Sequence, residues 1–135
     1  MGKAHDLKMF AIEEAVRILP QLTEWLTELQ KDRALILAAE VEIDALELVT
    51  EKKSGSASSV LNRKVEEYTL RVDHFYSLLD KLQGTGCLLK DLDTGLVDFY
   101  SLQNNRVVFL CWKLGEPAIS FCHEIGGGYA SRRSL

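Results

Sequence analysis

Seven positions in the middle of the chain, Leu61, Val65, Tyr68, Val72, Phe75, Leu79 and Leu82, are apolar and follow one another at steps of 4, 3, 4, 3, 4 and 3. No strand has that period. Spacing that averages 3.5 keeps one stripe of an α-helix facing a partner helix along its whole length. A second stripe runs upstream through Leu22, Trp25, Leu29, Asp32, Ile36, Ala39, Ile43, Leu46 and Thr50, with Asp32 and Thr50 as its polar members. Two long helices are predicted. The run Lys52-Lys-Ser-Gly-Ser-Ala-Ser-Ser59 between them has the composition of an exposed loop, so the helices form an antiparallel hairpin. Ser58 or Ser59 is placed to cap the second helix. Gly84 and Gly86 are placed to end it, because glycine accepts the left-handed C-cap conformation. Ala11 to Leu19 reads as a short N-terminal helix. Pro20 lacks an amide hydrogen, so it either kinks one long helix or opens a new one.

After Gly84 the apolar residues alternate or cluster in short runs. Four strands are predicted, over 87–91, 96–101, 106–114 and 118–124. The links Asp93-Thr-Gly95, Gln103-Asn-Asn105 and Gly115-Glu-Pro117 are turn chemistry, with Asp93 making an Asx turn ahead of Gly95. Links this short force an antiparallel meander. Gly126-Gly-Gly128 reads as a hinge releasing a tail. The expected fold class is α+β, a long antiparallel helical hairpin followed by a small β-meander. It forms one domain over 1–135, with the hairpin at 11–86, the meander at 87–125 and the tail at 126–135.

The formal net charge is −4, from 16 basic and 20 acidic residues. A mildly acidic chain is a poor general nucleic-acid binder, because phosphates must be neutralised by a basic surface. The imbalance sits in residues 1–54, with 7 basic and 11 acidic groups, and marks an acidic end of the hairpin where a basic partner can dock. No apolar run is longer than six residues, the length of Ala34 to Ala39. A membrane span needs about 20. Cys87, Cys111 and Cys122 are odd in number and form no C-x-x-C pair, which suits buried thiols in a reducing cytoplasm. The hairpin is longer than the sheet segment can cover. Its uncovered stripe therefore predicts a homodimer, with a protein partner as the other way to cover it.

Several residues have chemistry to offer. Asp91, Asp93, Asp98, Glu116 and Glu124 supply carboxylates suited to a hard cation or to acid/base work, although their spacing matches no calcium loop. His123 near two cysteines raises the question of zinc. The spacing argues against it, since Cys122 and His123 are adjacent and on a strand point to opposite faces. A turn at Gly115-Glu116 would set Cys111 opposite Ser120 and Val108 opposite His123, which leaves Cys111 and His123 apart. A Cys₂His₂ site would also lack ligands. His5 and His74 read as solvated. Arg132 and Arg133 can pair with a phosphate or carboxylate if the tail folds back.

Four segments together resemble a known family: Glu14-Ala15 with Leu19-Pro20; Lys90-Asp-Leu-Asp-Thr-Gly-Leu-Val-Asp-Phe99; Leu110-Cys-Trp-Lys-Leu-Gly-Glu116; and His123-Glu124 with Gly128-Tyr129 and Arg132. The arrangement resembles the bacterial family catalogued as domain of unknown function 2203, over nearly the whole chain. The resemblance implies a small bacterial cytoplasmic protein and no assigned activity. It puts weight on Asp91, Asp93, Asp98, Trp112, Glu116, His123, Glu124 and Arg132 in the C-terminal half. The chain departs from the pattern at Ala11, where a hydroxyl residue would cap the first helix, and at Gly126 and Ser131 in the tail.

Two functions are expected from these features. The favoured one is a homodimeric helical-hairpin interaction module. The other is a small-molecule- or metal-binding protein, with enzymatic activity left open. Its polar site would lie on the C-terminal sheet at Asp93, Asp98, Glu116, His123, Glu124 and Arg132, with Asp93, His123 and Glu124 as the metal-ligand candidates. The motifs name no cofactor, and neither nucleic acid nor membrane is expected as a partner.

Overall fold

A computed structural model describes residues 7–50 and 56–135, with backbone alone at 50, 56 and 57. Helix α1 spans Ile12–Thr50 and helix α2 spans Ser56–Gln83. Five strands follow: β1 (Leu88–Asp91), β2 (Leu96–Gln103), β3 (Arg106–Lys113), β4 (Phe121–Glu124) and β5 (Arg133–Ser134). They form one antiparallel sheet in the order β1-β2-β3-β4-β5. The α+β class and the hairpin-then-sheet order are as the sequence predicts. Among the described residues, no helix is long and apolar enough to cross a membrane.

Three local expectations are corrected. The N-terminal helix is not separate, because Pro20 lies inside the 39-residue α1. Pro20 is exposed and so is Val16, whose carbonyl loses its intrahelical donor, so water can take its place. Ala11 lacks a capping hydroxyl, yet its amide donates to Glu14 Oε1 at 2.9 Å, the reciprocal half of a capping box. Helix α2 starts at Ser56, so Ser58 and Ser59 lie within its first turn, and the residues before it, 51–55, fall outside the described part of the chain. The tail beyond the glycines is ordered. A 3₁₀ turn at Tyr129–Ser131 leads into β5, which pairs with β4 as a fifth strand.

The turns follow the predicted chemistry with one substitution of residue. Asn104 (φ 52°) and Asn105 (φ 63°) are both left-handed, which makes the β2–β3 link a tight two-residue hairpin. In the β1–β2 turn Asp91, not Asp93, accepts from the Thr94 amide at 3.2 Å and from its hydroxyl at 2.6 Å. Gly95 has φ +72°, and a Cβ there would lie 2.5 Å from Leu114 Cβ.

The described residues group into two compact units. The first holds the residues up to Thr27 together with Asp80–Leu135. One sheet face, with Val97, Phe99, Val108, Leu110, Trp112 and Cys122, is buried, as are Ala15, Leu19, Leu22 and Leu26 of α1. The segment before α1 is tied to β2. Phe10 donates its amide to the Tyr100 carbonyl at 2.8 Å, accepts from Ser101 Oγ at 2.6 Å, and packs edge-on against Phe99.

The second unit, Glu28–Leu79, is made of the later part of α1 and most of α2. Its stripe positions Ile36, Ala39, Ile43 and Leu46 are half-buried, and so are Tyr68, Val72 and Phe75. The polar member of the stripe, Asp32, is fully buried. It accepts from Arg71 Nη1 at 3.2 Å and lies 2.5 Å from His74 Nδ1. His74, expected to be solvated, is half-exposed but engaged across the hairpin. Tyr68 donates to Glu40 at 2.7 Å, and Lys64 pairs with Glu42 at 3.3 Å.

Two stability predictions follow from these contacts. Gly95→Ala should lower the unfolding free energy by about 2 kcal/mol or more, from left-handed strain plus the Leu114 clash, read as a drop in the urea midpoint. At Asp32 the response should be asymmetric. The double variant Arg71→Ala/His74→Ala strands a buried carboxylate and should cost about 3 kcal/mol, whereas Asp32→Leu removes the charge and should be near neutral. Urea titration of both variants measures the contrast.

Candidate functional site

The site begins with strand register. The two-residue Asn104–Asn105 turn sets Gln103 against Arg106, and the ladder then brings Asp98 opposite Cys111 and Tyr100 opposite Phe109. On the other side of β3, Cys111 pairs with Phe121 and Phe109 with His123. The expected Cys111–Ser120 register is therefore wrong by one residue. Because side chains alternate with period two, that slip moves His123 onto the same face as Cys111 and Asp98. The cause is the β3–β4 connection, which is longer than a turn at Gly115-Glu116. Trp112 Nε1 donates to the Glu116 carbonyl at 3.0 Å, and the Lys113 amide donates to Glu116 Oε1 at 2.9 Å. Ile119 is buried before β4 starts at Phe121.

Asp98, Cys111 and His123 are all buried, at 2%, 0% and 1% exposure. Cys111 Sγ, a carboxylate oxygen of Asp98 and a ring nitrogen of His123 lie within 4.8 Å of one another. His123 Nε2 is 3.1 Å from Asp98 Oδ2, and His123 Nδ1 is 2.8 Å from the Glu124 carbonyl oxygen. A carbonyl can only accept, so this contact assigns the proton of a neutral imidazole to Nδ1. In a neutral ring the Nε2 lone pair would face a carboxylate oxygen, so a positive centre, either a proton or a metal ion, would lie between them. The other carboxylate oxygen, Asp98 Oδ1, is buried without a hydrogen-bond partner. Buried polar atoms are rarely left so, because desolvation is then uncompensated. Lys90 Nζ lies 3.8 Å from Asp98 Oδ2 and 4.6 Å from the Phe109 ring centroid.

Burial pushes the Cys111 thiol up to about 12, reinforced by the Asp98 charge and opposed by Arg132. The thiol is therefore protonated and inert as a nucleophile at neutral pH unless a cation displaces its proton. Arg132 belongs to the returning tail. Its guanidinium stacks on Phe121 at 4.0 Å and on Tyr129 at 4.2 Å, and pairs with Glu116 at 3.0 Å. Burial raises the Glu116 carboxyl, but the Arg132 hydrogen bond and the Lys113 amide outweigh it and hold the group below its ordinary value.

The structure thus sorts the predicted site residues into three places. Asp98 and His123 meet in the buried cluster, and Glu116 and Arg132 form an adjoining pair. Glu124 belongs to neither, because it is next to His123 on a strand and pairs on the opposite face with Arg106 and, at 2.9 Å, with Arg133. Asp93 is exposed in the β1–β2 turn and outside the cluster. Of the metal-ligand candidates Asp93, His123 and Glu124, only His123 joins. Cys111 and Lys90 are not among the site residues expected from the sequence. The signal for Cys111 was available, since counting back from a two-residue turn at Asn104-Asn105 sets it against Asp98.

The Glu116–Arg132 pair gives a pH prediction. A carboxylate held below its unfolded value contributes stability that is present above the ordinary carboxylate range and lost as pH falls through the lowered folded value. Glu116→Gln should therefore cost roughly 1 kcal/mol at pH 7, and the difference from the parent should shrink below about pH 4. Urea midpoints at neutral and acid pH test this.

Comparison with curated proteins and with solved structures finds no match. A family model does match, over residues 8–135, which include the whole sheet, the buried cluster and the tail that carries Arg132. The chain belongs to the family of uncharacterised conserved proteins designated DUF2203.

Proposed function

We propose that this protein binds a divalent transition metal, zinc by preference, at Asp98, Cys111 and His123. The observation that carries the reading is the facing pair of His123 Nε2 and Asp98 Oδ2, 3.1 Å apart and buried, with a thiol beside them. A metal there would be the positive centre that the two lone pairs need. The donor set of one thiolate, one imidazole and one carboxylate suits zinc, which takes sulfur, nitrogen and oxygen ligands in tetrahedral geometry. The Glu124 carbonyl orients the imidazole through its Nδ1–H, the usual outer-shell arrangement for a metal-bound histidine. The unpartnered Asp98 Oδ1 adds a second buried donor atom. Carboxylate and thiolate together neutralise a dication, so Lys90 and Arg132 would then face a centre of no net charge. Three protein ligands leave one coordination position open, the pattern of zinc sites that take a water or a substrate.

Cobalt(II) titration of the metal-free protein tests the assignment. One equivalent should produce a thiolate-to-cobalt charge-transfer band, and Cys111→Ser should abolish the band while leaving the circular dichroism unchanged. Zinc at a hundred times its dissociation constant should stabilise the fold by about 2.7 kcal/mol. His123→Gln should weaken binding at least tenfold. Failure of cobalt to bind, or a band that survives Cys111→Ser, would mean that a shared proton holds the pair together and that the cluster is structural.

A further inference from the structure

The unit that carries the sheet holds a cavity of about 430 Å³, walled by the segment before α1, the end of α2, and strands β1 and β2. Small-molecule sites span roughly 300–1,000 Å³, with mostly apolar walls and a few polar groups that fix the ligand. The walls here follow that pattern. Leu7, Leu88, Leu89 and Tyr100 supply apolar surface, and Leu7 is 58% exposed. Lys8 and Lys90 supply the charge, and among the described residues no Asp or Glu lines the cavity. A ligand with a positive head group would meet only like charge.

The two lysines are not equally available. Lys8 pairs with Glu14 at 3.2 Å and lies over the Phe10 ring. Lys90 Nζ is 3.8 Å from Asp98 Oδ2, beyond hydrogen-bond length, and its side chain is 40% exposed. A lysine ammonium is a point charge on a flexible four-carbon stem, so Lys90 can turn from Asp98 to a ligand in the cavity without backbone movement. How firmly Asp98 holds it depends on what occupies the cluster. Once Asp98 and a Cys111 thiolate balance a dication, Lys90 has no counter-charge left there. Arg132 keeps its own, because Glu116 pairs with it. One unbalanced positive charge beside an apolar cavity matches one negative charge on an apolar body.

We propose that this cavity binds a small organic monocarboxylate, with its head group on Lys90 and its carbon chain against Leu88, Leu89 and Tyr100. The site stands on the cavity and Lys90 alone. Its tightening by a metal rests on the metal reading of the cluster.

Hexanoate, hexyl phosphate and hexylammonium, titrated calorimetrically into the full chain with and without zinc, test this. Hexanoate should bind saturably at one equivalent, hexylammonium at least tenfold more weakly, and hexyl phosphate no more tightly than hexanoate despite its second charge. Lys90→Met should weaken hexanoate binding at least tenfold with unchanged circular dichroism, and Lys90→Arg should retain it. Zinc should tighten hexanoate binding several-fold, and hexanoate should tighten zinc binding by the same factor. Absence of saturable hexanoate binding, indifference to Lys90→Met, equal binding of hexylammonium, or tighter binding of hexyl phosphate overturns the proposal. A chain that takes no zinc yet binds hexanoate through Lys90 refutes the metal reading and upholds the cavity site. Zinc that binds without changing the hexanoate affinity refutes the coupling between the two.

Discussion

The register of the β2–β3 hairpin is the constraint on which the candidate site depends. Two asparagines in left-handed conformation close that hairpin with two residues, and no other pairing is then open to the strands. Asp98 and Cys111 become direct neighbours, and the opposite face receives Val97, Phe99, Leu110 and Trp112 for the core. A slip of one residue in β3 would turn Val108, Leu110 and Trp112 away from the face that holds Val97 and Phe99, and would part Cys111 from Asp98. Burial of the apolar face therefore enforces the same register that assembles the site.

The polar face is unusual in being buried as well. Aromatic rings and cation stems cover it, with Phe109 beside His123 at 5.4 Å and Arg132 laid on Phe121. Arg132 brings a charge to the cluster from the far end of the chain, and its pairing with Glu116 connects the β3–β4 loop to the tail. Burial makes each member dependent on the others. Burial keeps the thiol protonated, and the Glu124 carbonyl holds the imidazole in one orientation. The helical hairpin shows the same logic at Asp32, whose charge is tolerated at a buried stripe position because Arg71 and His74 reach it from α2.

How much of this was legible varies with the range of the interaction. The α2 stripe from Leu61 to Leu82, the end of α2 before Gly84 and the asparagine turn are local, and the residues alone predict them. Pro20 leaves one long helix and two shorter ones both open, because its cost inside a helix is set by whether water reaches Val16, which is a property of exposure and not of the dipeptide. The β3–β4 register misled because loop length was inferred from the nearest turn signal, while Glu116 capping Lys113 and the buried Ile119 prolong the loop to Phe121. The tail misled because three glycines allow a hinge but do not require one. Its order comes from β4 pairing and from the two aromatic rings that hold Arg132.

By itself the sequence determined the element types, their order, and the polar residues available to a site in the C-terminal half. Periodicity and turn chemistry act over a few residues, so a single chain states them directly. Only the tertiary structure decided which of those polar residues meet. It brought Cys111 and Lys90 to Asp98 and His123, and sent Glu124 to Arg106 and Arg133 on the other face. The physical reason is that a strand's side chains alternate, so the composition of a site depends on one residue of register. That register is decided by which face is buried and by how long a loop its own contacts make.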